Sequence, residues 1–241
     1  QWARYSLGTP EAWGSVLERC GQWVDYSARN QLLLASYGVA TPVAGAATWE
    51  RVPSVEPDRG CAVRAGEHGL PVRVPVVEAG EVTADRLRGA GRSDAVAGGH
   101  RWELVFAAEQ LARRPAVGVL TPPSVPSLSE RDWAEAVRVA SGRMTGRTPR
   151  SVKDPAGQLA VLAGRVSHGS GRVRLDGELA SQAAWLVADR VGRAEGPMPG
   201  FDPSGLTGRE RWQSAVDVRR SVDQVLAAVS FAVGVELMSS P

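Results

Sequence analysis

A chain of 241 residues, 43% hydrophobic and 22% charged, has the makeup of a globular protein and room for one large domain or two modest ones. No apolar run approaches the ~20 residues that span a bilayer, no secretory signal pattern is present, and neither internal repeats nor long low-complexity tracts occur, so no membrane is expected among the partners. The formal charge of +2 is unevenly spread: Arg138, Arg143, Arg147, Arg150, Lys153, Arg165, Arg172 and Arg174 face only Asp154 between residues 136 and 175. Such a block is either a footprint for polyanions or a solvated face.

Cys20 and Cys61 are too few for a disulfide framework and read as buried thiols in a reducing compartment, so a cytoplasmic setting is expected. The chain opens at Gln1 without a Met, which leaves room for a preceding segment.

In chain order, Thr9 caps a first helix with Pro10 at its first position, and Trp13, Val16, Leu17, Cys20 and Val24 recur at helical spacing. A short helix is predicted from Asn30 to Tyr37. In the strand patterns that follow, Val72, Val74 and Val76 alternate with Pro71, Arg73 and Pro75, and Trp102, Leu104 and Phe106 alternate with Arg101, Glu103 and Val105. Before the first of these, Gly66 and Gly69 fit a tight turn. Gly89 to Gly99 reads as a surface loop. Thr121-Pro122-Pro123-Ser124-Val125-Pro126 can neither continue a helix nor enter a sheet interior. It divides the chain into a domain over 1–120, a linker over 121–128 and a domain over 129–241.

The second half is patterned for helices. Ser129 caps one whose apolar stripe is Trp133, Ala136, Val137 and Ala140. Residues 155–168 form another, and a strand-like run from Arg172 to Leu175 follows. A helix from Gly177 to Val191 carries Ala180, Ala184, Val187 and Val191 on one face. Thr207 and Glu210 form a capping box that opens a long helix with Ala215, Val218, Val222, Val225, Val229 and Val233 aligned. The expected fold class is α+β: N-terminal helices with a small antiparallel sheet, then a mainly helical part.

Three stretches carry a more specific signal. They are Tyr26-Ser27-Ala28-Arg29-Asn30-Gln31-Leu32-Leu33, then Thr41-Pro42-Val43-Ala44-Gly45 with Trp49, then Gly60-Cys61-Ala62-Val63-Arg64-Ala65-Gly66-Glu67-His68-Gly69. Their order and spacing resemble the N-terminal domain of the ArdC antirestriction family, with Trp102-Glu103-Leu104-Val105-Phe106 similar to its closing strand. The resemblance covers roughly residues 10–115. It implies single-stranded DNA binding by this part, followed by a zinc-peptidase-like domain.

The second half is similar to that peptidase-like domain in layout. Gly164-Arg165-Val166-Ser167-His168 lies where an HExxH motif belongs, in which two His at i and i+4 bind zinc and the Glu activates water. Only the second His is kept. On the next helix, Ser181 stands where the family places a Glu ligand, with Glu178 the candidate if the alignment shifts by one turn. A lone His168 cannot hold the metal, Arg165 adds a positive charge beside it, and His68 and His100 lie in the other half. The resemblance therefore implies a degenerate zincin-like domain, a pseudopeptidase with no metal, no cofactor and no catalytic residue. No GxSxG, Walker or GxGxxG pattern offers another chemistry.

The candidate nucleic-acid-binding residues are Tyr26, Asn30, Trp49, Arg59, Arg64, His68 and Arg73. Tyr26 and Trp49 could stack bases, although strand and helix spacing suits Trp49, like Trp13, to a core position. Asn30 shares a helix face with Tyr26 and either reads a base edge or caps a turn. Arg59, Arg64 and Arg73 suit phosphates or a solvated hairpin edge. The expected function is non-catalytic, ArdC-like single-stranded DNA binding, with DNA protection or transfer of mobile elements as its setting. Two alternatives stand beside it: a module that binds a protein partner in the pseudopeptidase groove, and an active zinc metallopeptidase.

Overall fold

The computed structural model describes residues 7–23, 26–56, 59–75, 99–116, 128–165, 175 and 177–234. Among them are seven α-helices and one three-stranded antiparallel sheet, so the fold is α+β and mostly helical. Thr9 accepts a hydrogen bond from the Ala12 amide and opens α1 (Pro10–Cys20), which buries Trp13, Val16, Leu17 and Cys20. Ser27 caps α2 (Ala28–Ser36) through the Asn30 amide. Strand β1 (Val43–Ala44) leads into the single turn α3 (Ala46–Trp49), and β2 (Leu70–Pro75) and β3 (His100–Ala107) complete the sheet.

The remaining helices are α4 (Glu130–Thr145), α5 (Pro155–Arg165), α6 (Gly177–Arg190) and α7 (Gly208–Val233). Ser129 caps α4, and Thr207 and Glu210 form the capping box of α7. Gly146 and Gly234 end α4 and α7 in the left-handed conformation, which glycine adopts without a Cβ penalty. Leu175, expected in a strand, is a buried residue outside any strand. Val24, Val76, residues 89–98, 117–127, 166–168 and 172–174 lie outside the described residues.

The sheet order is β1-β3-β2. Leu70 pairs with Val105, Val72 with Glu103 and Arg73 with Trp102, so Leu70, Val72 and Val105 share the inner face. Val72, Val105 and Ala107 are buried there. Trp102 and Leu104, the larger apolar members of the alternation in β3, face outward and are 61% and 57% exposed.

Strand β2 is an edge, and its composition explains why it stays one. Pro71 and Pro75 have no N–H to offer. Between them, Arg73 gives its N–H to Asn30 Oδ1 at 3.0 Å and accepts from Asn30 Nδ2 at 2.6 Å through its carbonyl. Tyr37 donates its hydroxyl to the Pro71 carbonyl at 3.4 Å. Helix α2 thus occupies the hydrogen-bonding positions that another strand would need.

Helix α7 is the axis of the core. Its buried Ala215, Val218, Val222, Val225 and Val229 meet α4, α5 and α6, and also α1 and α2. Each such Val, fully removed from water, contributes roughly 1.5–3 kcal/mol. One continuous cluster runs from Leu7, Trp13 and Leu32 through Val105 to Trp133, Leu162, Val187 and Val229. The parts before and after 121–128 therefore share a core.

Polar contacts also cross that junction. Gln31 donates to the Tyr26 carbonyl at 2.7 Å and to Asp223 at 3.4 Å, and Arg219 reaches Asp223 at 2.8 Å. A second, smaller cluster of Trp49, Cys61 and Leu111, with Phe106 packed against it, lies under the loops around α3. No helix of the described residues is long and apolar enough to cross a membrane.

Candidate functional site

The three N-terminal motifs fold into one frame around the sheet. Tyr26 is half-buried and donates its hydroxyl to the Val43 carbonyl at 3.2 Å, which ties the first motif to the second. Asn30 is buried, and both ends of its amide are committed to the Arg73 backbone. Trp49 is 2% exposed and donates its indole N–H to the Phe106 carbonyl at 2.8 Å. These three side chains point into the frame.

The glycines of the third motif are explained by local space at Gly60 and Gly69 and by backbone conformation at Gly66. A Cβ on Gly60 would stand 2.0 Å from the Glu50 carbonyl oxygen, and one on Gly69 would stand 2.7 Å from Leu104 Cβ. Gly66 has φ +85°, a conformation that costs other residues steric energy. At the tip of this turn, Arg64 donates to Glu67 at 2.8 Å through Nε. Gln110 donates to the other Glu67 oxygen at 3.1 Å and to the His68 carbonyl at 2.9 Å. The bond from Arg64, and then that from Gln110, hold the Glu67 carboxyl below its ordinary pKa. Arg64 is therefore an exposed cation with its charge locally matched, and His68 is exposed beside it.

Arg73 differs. Its side chain is exposed on the outer face of the sheet, with no ion pair among the described residues. Since its N–H and carbonyl both turn to Asn30, Arg73 and Trp102 form a non-hydrogen-bonded pair, the kind whose side chains lie closer together. Pro71 is paired with Leu104 one step along the same face. Arg59 is exposed at the start of the third motif. The structure thus brings Arg73 beside Trp102 and Leu104, while Tyr26, Asn30 and Trp49 serve the frame behind them. The exposed Trp102 was missed as a site residue, because alternation alone does not reveal which face of a strand is covered.

In the helical part, Gly164 and Arg165 at the end of α5 and Ser181 on α6 line one cleft of about 670 Å3 with Ala160, Val161, Leu175, Gly177 and Ala180. A Cβ on Gly164 would lie 3.7 Å from Ala180 Cβ, an ordinary contact distance, so the spacing of α5 and α6 does not itself require glycine there. Gly164 has no side chain to offer a ligand atom, the Ser181 hydroxyl donates to the Gly177 carbonyl of its own helix at 2.7 Å, and Arg165 is exposed. Among the described residues, no three His, Cys, Asp or Glu gather as a metal site. These residues do not fit a zinc ion. His168 lies outside the described residues.

No family model, curated protein or solved structure matches the chain.

The basic block of the second half is spread over several surfaces. Arg138 bonds Glu135 at 2.7 Å, and Arg143 lies 4.0 Å over the Phe231 ring. Arg147, Arg150 and Lys153 are exposed, and Asp154, the lone acid of the block, caps α5 through the Gly157 amide at 2.9 Å. Arg172 and Arg174 lie outside the described residues. Burial pushes the Cys20 thiol up to about 12, and raises Cys61 as well, so neither is an activated nucleophile.

Proposed function

We propose that this protein binds single-stranded DNA without catalysing a reaction on it, in the manner the ArdC-like motifs imply, in a reducing, cytoplasmic setting. The observation that carries the reading is Arg73. Its guanidinium stands exposed and without an acidic partner among the described residues, on a backbone held from both sides by the motif residue Asn30. A fixed, unneutralised arginine on a sheet face is suited to a phosphate. Arg59, just before the third motif, and Arg64 and His68 in its turn are further exposed polar groups of this part. The lack of a side-chain ligand at Gly164 and the Ser181 hydroxyl bonded within its own helix support the non-catalytic part. Protection or handling of DNA during transfer of mobile elements is the biological setting this reading suggests.

The test is affinity for a labelled oligonucleotide as single strand and as duplex of the same sequence. Single strands should bind tighter, with log affinity falling by about 0.7 per phosphate neutralised for each unit of log salt. Arg73→Ala should weaken all sequences alike and reduce that slope. Equal affinity for both forms would leave only a nonspecific cationic surface and remove the proposal. Elemental analysis should find no stoichiometric zinc; one zinc per chain, lost on His168→Ala, would overturn the non-catalytic reading.

A second reading, a module that binds a protein partner, is favoured by the cleft between α5 and α6, where Val161 is 45% exposed beside Arg165. It predicts little DNA binding near physiological salt, and a partner whose affinity falls when Arg165 is changed to Glu.

A further inference from the structure

The outer face of the sheet carries two large apolar side chains that the fold leaves open. Trp102 is 61% exposed and Leu104 57%, both on β3, the central strand. An exposed indole on a rigid strand is uncommon without a partner, because large apolar surface left in water marks sites of association. Three observations narrow what that partner is. Arg73 is paired directly opposite Trp102, so a cationic side chain leaves the same face of the sheet from the neighbouring position. The free edge of β2 is closed to an added peptide strand: Pro71 and Pro75 have no N–H, and the Arg73 N–H and carbonyl are taken by Asn30. At the far end of the same face, Gly69 lies so close to Leu104 and Phe106 that a Cβ would reach within 2.7 Å and 3.0 Å of them. The floor next to Leu104 is therefore flat, with no side chain rising from Gly69.

A flat apolar strip beside an arginine with no ion pair among the described residues, along an edge whose Arg73 N–H and carbonyl are already taken, is complementary to unpaired bases on a phosphate backbone. A base offers a π-face to the indole and its own phosphate to the guanidinium. A duplex keeps its bases stacked inside and has no such face to offer.

We propose that Trp102 is the base-stacking residue of this protein, with Leu104 continuing the floor under the next base and Arg73 taking the adjoining phosphate. The inference rests on the single-strand reading above and adds to it the residue that recognises bases.

The experiment uses the full chain and fluorescence anisotropy of two labelled probes. One is an oligothymidylate of about ten nucleotides, within the usual span of one such platform. The other has the same backbone with abasic sites throughout. The unaltered protein should bind the thymidylate more tightly than the abasic probe. Trp102→Ala should lower thymidylate affinity roughly 5- to 150-fold, the range expected for one stacked base, and leave the abasic affinity and the salt slope unchanged. Trp102→Phe should keep a large part of the affinity, whereas Arg73→Ala should weaken both probes and reduce the slope.

If the unaltered protein binds neither probe, the single-strand reading itself has failed. If it binds the thymidylate and Trp102→Ala binds equally well, the reading stands and the assignment of Trp102 is overturned. A drop of several degrees in the melting temperature of Trp102→Ala would show that this chain's own residues cover the indole. Loss of a dimer would show that a second copy does. Either result also overturns the assignment.

Discussion

The indole N–H of Trp13 donates to Gln182 Oε1 at 2.8 Å, with both side chains buried, although 169 positions separate them in the chain. Gln182 in turn donates to the Pro199 carbonyl at 2.9 Å, and the Trp13 ring lies 4.8 Å from that of Phe201. The first helix is thereby fixed into the helical part of the protein. Gln182→Leu leaves the indole N–H and the Pro199 carbonyl without partners, and should lower stability by about 1–3 kcal/mol in urea unfolding. A fragment ending at residue 120 should fail to form a stable monomer, because Trp13, Leu17 and Leu32 would lose the α6 and α7 side of their cluster. Size-exclusion chromatography and near-ultraviolet circular dichroism would read this. A cooperative, monomeric fragment would show that the two parts fold independently.

Asn30 should behave as a backbone clamp. Asn30→Leu removes both bonds to Arg73 and leaves its N–H and carbonyl facing a covered edge, at a cost of about 1–3 kcal/mol. Hydrogen exchange at the Arg73 amide should accelerate beyond what the global loss of stability explains. Asn30→Asp keeps an acceptor for the N–H but faces the carbonyl with another oxygen, so it should rescue little. Exchange at Arg73 unchanged in both variants would remove the clamp.

The three glycines of the third motif should differ in cost for different reasons. Gly66→Ala meets open space and only the positive φ opposes it, so it should cost roughly 1–2 kcal/mol. Gly60→Ala places a methyl 2.0 Å from the Glu50 carbonyl oxygen, which is backbone and cannot rotate away. It should cost beyond about 3 kcal/mol or prevent folding. Gly69→Ala should fall between them, since the Leu104 and Phe106 side chains can yield partly. Thermal unfolding of the three variants gives the order directly.

The thiols predict the alkaline limit of the fold. Burial favours the neutral form of Cys20, so its pKa is raised from 9.0 to about 12 in the folded chain. The folded state then holds a proton that the unfolded state releases above pH 9.0. The contribution to stability is full below that pH and is lost as pH rises toward about 12. Cys20→Ser should flatten this fall in stability, measured by denaturant midpoints across the range. Both thiols should resist a thiol reagent at neutral pH and react only on unfolding. Rapid labelling of Cys20 in the native protein would contradict its burial.

Much of the fold can be read from local signals. Thr9, Ser129 and the Thr207–Glu210 box mark where helices begin, and the spacing of Trp133 with Ala136 and Val137, or of Val218 with Val222 and Val225, marks the buried faces. These are legible because capping and 3.6-residue periodicity are satisfied within one element. The prolines flanking Arg73 belong to the same class, since a missing N–H limits a strand whatever surrounds it.

Three things were decided only by the tertiary structure. Shared burial between α1, α2 and α7 depends on residues far apart in sequence, and no local pattern encodes it. The outward direction of Trp102 and Leu104 follows from which face of β3 the rest of the chain covers, and the alternation is identical for either choice. The assignment of Asn30 to the Arg73 backbone rather than to solvent required a strand to arrive 43 positions later. Side-chain type fixes what chemistry a residue can offer. Which surface it is offered to depends on long-range packing, because burial is a property of the whole assembly of elements and not of any one of them.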